Sequence, residues 1–182
     1  LITTTGRAAH SARGWLGHNA IHDLAFPLAL LNGFEPPRVT VDGLEYREGM
    51  NAVAISGGVA GNVVPDRADL LVNYRFAPDK RVEDAEAIVR ALFAGYEVHV
   101  VDLAPGARPG LDAPLAQELV AATGHDAGPK YGWTDVARFA ASGVPAVNYG
   151  PGDPDLAHAD DERCPLSQVL QCHDALAAWL AG

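Results

Sequence analysis

His158 closes a loop broken by Gly150, Pro151, Gly152 and Pro154, and Asp160, Asp161 and Glu162 follow it. A neutral imidazole beside carboxylates can ligate a hard-to-borderline metal such as zinc. The preceding apolar run, Val144 to Val147, reads as a buried strand. In an open α/β sheet, the C-terminal end of a strand is where ligands bind. The stretch fits equally well a solvated acidic loop carrying an incidental histidine. One imidazole does not make a metal site, so further ligands must come from elsewhere.

A second concentration of chemistry is Ala9-His10-Ser11-Ala12-Arg13, on a loop bounded by Gly6 and Gly17. A serine nucleophile would need His10 to face Ser11, which adjacent residues rarely do. His10 as a hydrogen-bond donor to an oxyanion fits better. His18 and His22 are four apart and could share a helix face as metal ligands. No Glu follows His18 as in an HExxH site, so His22 fits packing or capping better. The run Gly57 to Pro65 has the glycines of a phosphate loop but lacks its Lys and the helix after it, which excludes nucleotide binding. Asn62 in that run and Arg75 on the next strand could hold a carboxylate by charge-assisted bonds. A surface salt bridge is the alternative for Arg75.

These residues need elements to position them. Leu1 to Thr5 reads as a strand, and Asn19 caps a helix to about Asn32 with Ile21, Leu24, Leu28 and Leu31 on one face. Pro27 is expected to kink that helix and Gly33 to stop it. Arg38 to Tyr46 reads as a hairpin turning at Asp42-Gly43, and Asn51 to Ser56 as a strand ended by Gly57-Gly58. Ala68 to Phe76 alternates most clearly: Leu70, Val72, Tyr74 and Phe76 share one face, with Asp69, Leu71, Asn73 and Arg75 on the other. An amphipathic helix over Arg81 to Phe93 and a strand over Glu97 to Leu103 follow. Leaving the hairpin aside, the order is βαββαβ, the ferredoxin-like α+β arrangement with both helices on one face of the sheet. The predicted domains are residues 1–106 and 107–182.

After the linker Arg108-Pro109-Gly110 the pattern changes. Helices are expected over Pro114 to Thr123, Val136 to Ser142 and about Leu166 to Leu180, against the single strand Val144 to Val147. That is too little sheet to cover their apolar faces. The segment therefore reads as the C-terminal part of a larger α/β domain, in agreement with a first residue that is Leu1 rather than Met.

The chain's 182 residues, 48% of them hydrophobic, can bury a sizeable core as one domain or two small ones. A net charge of -10 with no basic stripe argues against nucleic-acid partners. No apolar run approaches the ~20 residues of a membrane span, and the start has no signal-peptide layout. Two cysteines, Cys164 and Cys172, suit a reduced, cytoplasmic protein better than a disulfide framework.

Gly6 to His22, read as G-x-x-A-H-S-A-R-x-W-x-G-x-N-A-I-H, resembles the dimerisation (lid) domain of the di-zinc aminoacylase/carboxypeptidase metallopeptidases. Gly57 to Asp66, Asn73-Tyr74-Arg75, Gly132-Trp133-Thr134-Asp135 and Gly150 to Glu162 follow in that family's order and spacing. Phe34-Glu35-Pro36, Tyr46 to Ala52, Val72 to Phe76 and Pro129 to Asp135 most resemble an actinobacterial desuccinylase branch. The resemblance covers essentially the whole chain. It implies hydrolysis of the amide of N-succinyl-L,L-diaminopimelate, with two zinc ions (or cobalt) activating a bridging water and a glutamate taking its proton. It also implies a homodimer formed through the lid.

On the same grounds, His158 matches the last zinc ligand. His10 matches the lid histidine that supports the oxyanion in the partner subunit's active site. Asn62 lies in the loop that also reaches across the dimer, although some members carry that Asn at the position of Gly61. Arg75, Thr134 and Arg108 match positions that hold substrate carboxylates. The family's His-x-Asp motif, bridging aspartate, base glutamate and next ligand have no counterpart here, so the chain as written is not expected to turn over substrate. An acetylornithine deacetylase, a carboxypeptidase, and a non-catalytic dimerisation or ligand-binding module are the alternatives.

Overall fold

The computed structural model describes residues 1–181, and the chain divides into two compact units. The first is made of Leu1–Thr40 and Glu45–Gly106; the second takes Val41–Leu44 and the residues from Ala107 onward.

The chain opens with β1 (Ile2–Thr5), β2 (Ala9–His10), α1 (Ala20–Asp23), α2 (Ala25–Asn32), β3 (Arg38–Val41), β4 (Leu44–Arg47) and β5 (Gly49–Gly57), the tip of the β3–β4 hairpin falling in the second unit. Then come β6 (Val63–Val64), β7 (Arg67–Arg75), α3 (Val82–Leu92) and β8 (Glu97–Val98). An antiparallel sheet in the order β5-β7-β1-β8 is the ferredoxin-like arrangement expected from the sequence. The period-two alternation explains its two faces. Ile2, Ala68 and Leu70 are buried with Ala20, Leu24, Met50 and Phe93 in one core, with Leu30 and Leu31 of α2 and Ile88 and Val89 of α3 packed against it. On the opposite face Thr3 pairs with Asp69, where the Thr3 hydroxyl donates to the carboxylate at 2.6 Å and the Arg67 guanidinium grips both its oxygens. That fork, followed by the Thr3 bond, holds the Asp69 carboxyl below its ordinary range. One covered face and one polar face is the usual economy of an antiparallel sheet.

Four expectations need correction in this unit. The single helix from Asn19 to Asn32 is two helices that break at Leu24. Pro27 has no N–H to give the Asp23 carbonyl and its ring crowds that carbonyl, so the helix parts one turn upstream of the proline. Asn19 does cap α1, its side chain accepting from the Ile21 and His22 amides at 2.9 and 3.4 Å. The buried stripe is also displaced: Ala20, Leu24 and Pro27 are buried, while Ile21 and Leu28 are each 37% exposed.

The stretch from Gly6 to Gly17, expected to be loop, contains β2 and a 3₁₀ turn over Ser11–Leu16. Gly6 permits this path, since a Cβ there would stand 2.1 Å from the His18 carbonyl oxygen. Finally, the last strand is β8 alone rather than Glu97 to Leu103. Its pairing ends where His99 and Leu1 exchange backbone bonds of 2.7 and 2.8 Å. The hairpin between β3 and β4 matches expectation. Asp42 and Gly43 have φ of 50° and 82°, the two left-handed residues that its tight turn requires.

The second unit contains α4 (Pro114–Thr123), α5 (Val136–Ala141), a 3₁₀ turn at Pro154–Leu156, and α6 (Leu166–Ala181). α4 starts on Pro114 and ends at Gly124 with φ of 66°, the proline-first, glycine-last pattern. It packs against α6. The strand expected over Val144 to Val147 does not form, and Val144 is exposed rather than buried. Among the described residues this unit has no strand for it to pair with, and Pro145 carries no N–H.

Candidate functional site

The ribbon of β2 and β6 brings two of the sequence candidates together. Ala9 pairs with Val64 and His10 with Val63, and the Ser11 amide donates to the Asn62 carbonyl at 2.8 Å. His10 then caps the 3₁₀ turn, its Nδ1 accepting from the Ala12 amide at 3.1 Å. An Nδ1 that accepts obliges the neutral ring to carry its proton on Nε2. His10 is exposed, so this Nε2–H is a donor offered to whatever docks there. The ring bonds Ala12 and not Ser11, so the serine has no base in the place a nucleophile would need one. His18 is drawn to Asp23 at 2.6 Å, and His22 sits exposed in the first turn of α1. The two do not make a metal pair.

Arg75 ends β7, opposite Gly49, exposed and without an ion pair among the described residues. The surface salt bridge considered as its alternative role is not formed. What anchors this end of the strand is Glu48, only 3% exposed, which the sequence reading did not single out. It accepts from the Tyr74 hydroxyl at 2.6 Å, the Ala77 amide at 2.9 Å and Lys80 Nζ at 2.7 Å. Burial, and then the bond to Glu48, push the Tyr74 hydroxyl well above its ordinary pKa.

In the second unit, Thr134 Oγ1 accepts from Asn148 Nδ2 at 3.1 Å, and the Thr134 carbonyl accepts the Ala137 amide where α5 begins. Arg138 lies over the Trp133 ring at 5.4 Å, a cation–π contact. Both arms of the Arg108 guanidinium are on the Asp42 carboxylate, one of them at 3.1 Å. His158 is exposed in the left-handed region with φ of 68°, a costly conformation for a residue with a Cβ. Its amide donates to Glu162 Oε2 at 3.0 Å, which helps to hold the turn. Asp161 is taken by Arg163 at 2.7 Å. Asp161 and Glu162 therefore bond locally rather than converge on its ring.

Residues 1–99 match the family described as peptidase dimerisation domain, of the M20 peptidases. A Mycobacterium tuberculosis protein carrying the name succinyl-diaminopimelate desuccinylase DapE is 52% identical over 184 residues, covering 100% of this chain and 52% of its own length. The succinyl-diaminopimelate desuccinylase of Corynebacterium glutamicum is 43% identical over 186 residues, covering 99% of this chain and 50% of its own. Among solved structures, an M20 family metallo-carboxypeptidase of Sulfolobus solfataricus superposes with a TM-score of 0.68 at 14% identity, covering 98% of this chain and 57% of that one. A tripeptidase of Staphylococcus aureus does so at 0.66 and 18%, covering 98% and 49%. The chain belongs to the M20 peptidase dimerisation domain family. It spans about half the length of the curated relatives it matches.

The M20 match takes in His10, Asn62 and Arg75 and leaves Arg108, Thr134 and His158 beyond it. An exposed imidazole suits one ligand position of a zinc site. Among the described residues, however, no group of three or more His, Cys, Asp or Glu is placed to hold a metal. Of the residues that sequence reasoning passed over, Asn148 lay inside the stretch it favoured, and only its bond to Thr134 reveals it. Glu48 gave no signal, because its partners are 26 to 32 positions away.

Proposed function

We propose that this chain supplies the lid and the C-terminal part of the catalytic domain of a zinc amidohydrolase. Its substrate would be N-succinyl-L,L-diaminopimelate, cleaved to succinate and L,L-diaminopimelate for lysine and cell-wall synthesis in the cytoplasm. The observation that carries this reading is the pair of desuccinylase relatives whose identity runs the length of the chain. Bound zinc, two ions in the whole enzyme with cobalt as a substitute, would polarise the amide and activate water. His158 is the ligand this chain contributes, and the other ligands and the general base belong to the rest of the protein.

The chain's own residues have separate tasks. His10 Nε2–H is set to donate to the oxyanion that develops as the amide carbonyl is attacked, and Asn62, in the turn just before β6, accepts the amide of the next residue, Ser11. Arg75, unpaired and exposed, offers two parallel donors to a substrate carboxylate. Thr134, tied to Asn148, and Arg108, once released from Asp42, would hold the remaining carboxylates. A homodimer through the lid agrees with the exposed edge strand β5. Its Val53 bulges out of register and, with Ile55, is more than half exposed.

Steady-state hydrolysis by the full-length protein tests the reading. His10→Ala is expected to lower kcat about a hundredfold or more with zinc content unchanged, the usual loss for one oxyanion donor. Arg75→Lys, which keeps the charge but loses the fork, is expected to cut kcat/KM about tenfold. Turnover of N-acetylornithine or of a peptide in place of the succinyl substrate would move the assignment to a deacetylase or a carboxypeptidase. No hydrolysis of any of the three by the zinc-loaded protein would leave a dimerisation or ligand-binding module.

A further inference from the structure

In a chain of net charge -10, most basic side chains lie against a carboxylate; Arg67 on Asp69 and Arg90 on Glu86 are typical. Arg13 is exposed and has no such partner among the described residues. Its position gives that freedom a direction. His10 is the cap of the 3₁₀ turn and Arg13 lies one turn further along, where the backbone leaves helical geometry at φ of -131° and ψ of 44°. A 3₁₀ turn takes three residues and rises ~2 Å for each, which sets the two residues roughly 6 Å apart along the axis. The Ser11 amide, between them, is tied to the Asn62 carbonyl, so turn and ribbon are fixed together. This corner of the first unit thus offers His10 Nε2–H and a guanidinium, and both groups are donors only.

We infer that Arg13 binds a substrate carboxylate standing three bonds from the scissile carbonyl carbon. The inference rests on the proposed role of His10 as donor to the oxyanion at that carbon. Three bonds correspond to roughly 4 Å, so the carboxylate falls within reach of an arginine one turn beyond His10. Two carboxylates of the proposed substrate meet this condition: the terminal one of the succinyl group, and the α-carboxylate on the carbon bearing the amide nitrogen. The chemistry of recognition is the same for either, a planar two-donor fork on a carboxylate.

The experiment compares Arg13→Ala, Arg13→Lys and His10→Ala with wild type in the full-length zinc-loaded protein. N-succinyl- and N-acetyl-L,L-diaminopimelate are the substrates, and zinc content and thermal midpoint are recorded for each variant. Arg13→Ala is expected to lower kcat/KM for the succinyl substrate at least tenfold, mainly through KM, with zinc and thermal midpoint unchanged. Arg13→Lys should recover part of that loss. A penalty that disappears with the acetyl substrate assigns Arg13 to the succinyl carboxylate, and one that persists assigns it to the α-carboxylate. Values within twofold of wild type for both substrates, while His10→Ala loses hydrolysis, overturn the inference and leave the function intact. Should His10→Ala hydrolyse normally, the underlying reading fails and the inference falls with it.

Discussion

The two units of this chain treat their apolar residues differently. In the first, three helices and a four-stranded sheet close one core, and Glu48 finds its partners in the interior. In the second, among the described residues, three helices have no sheet beneath them; the longest, α6, buries none of its residues, and Leu166, Leu170 and Leu180 are all more than half exposed. Natural surfaces carry scattered apolar residues, but not several on one long helix beside an extended segment with no partner. The first unit closes a core of its own. The second has the composition of a layer that expects another layer.

Glu48 gives the largest expected effect and tests the completeness of the first unit. Glu48→Ala leaves Lys80 with only Asp79 and orphans the Tyr74 hydroxyl and the Ala77 amide, which should cost about 3–5 kcal/mol, toward the low end because Lys80 is partly exposed. Native-state hydrogen exchange should show the loss on β5 and β7, with α4 and α6 unchanged. Equal loss in both units would mean that they unfold as one.

A matched pair of substitutions sharpens the contrast. Leu70 is 0% exposed and Leu170 is 57% exposed. Leu70→Ala should cost about 2–5 kcal/mol through lost burial and the cavity left behind. Leu170→Ala should stay within about 0.5 kcal/mol, as surface substitutions do. A large effect at Leu170, measured by urea unfolding of this chain, would show that α6 is covered in solution.

Regular elements of this fold were legible wherever local chemistry decides them. β7 was marked by its alternation, α4 by Pro114 and Gly124, and the hairpin by Asp42-Gly43. Features that depend on distant partners were not. Two-residue strands such as β2 and β6 are too short to show a period, and Pro27 moved the helix break a turn away from itself. The run Val144 to Val147 has strand chemistry but no neighbour to pair with, so sequence could not tell potential from outcome. The candidate site divides in the same way. His10 was legible as a residue type in a loop; the bond from Ala12 that fixes its proton on Nε2 was not. Arg108 was marked only by resemblance, as a position that holds a substrate carboxylate; its pairing with Asp42, more than sixty positions away, was not legible.

The smallest expected effect concerns pH and returns to the interior of the first unit. Tyr74 donates to Glu48 at 2.6 Å, and burial together with that bond raises its pKa above the ordinary value of about 10. In the unfolded chain the hydroxyl ionises near the ordinary value, whereas in the folded chain it keeps its proton. Below about pH 10 both states are protonated and the contribution of Tyr74 is fully present. Above that pH the unfolded state binds fewer protons than the folded one, so stability declines as pH rises toward the folded pKa. Tyr74→Phe should cost about 1.5–3 kcal/mol at neutral pH, the worth of one hydrogen bond to a charged acceptor. It should also flatten the alkaline decline of the first unit. Tyr149, in the second unit, is raised chiefly by its bond to Cys172, and that site lies outside the first unit's core, so Tyr149→Phe should leave the exchange of β7 amides at high pH unchanged. Urea midpoints at pH 8 and pH 11, wild type against Tyr74→Phe, make the measurement. If the wild type and the variant lose the same stability between those two pH values, the hydroxyl is not held neutral by Glu48.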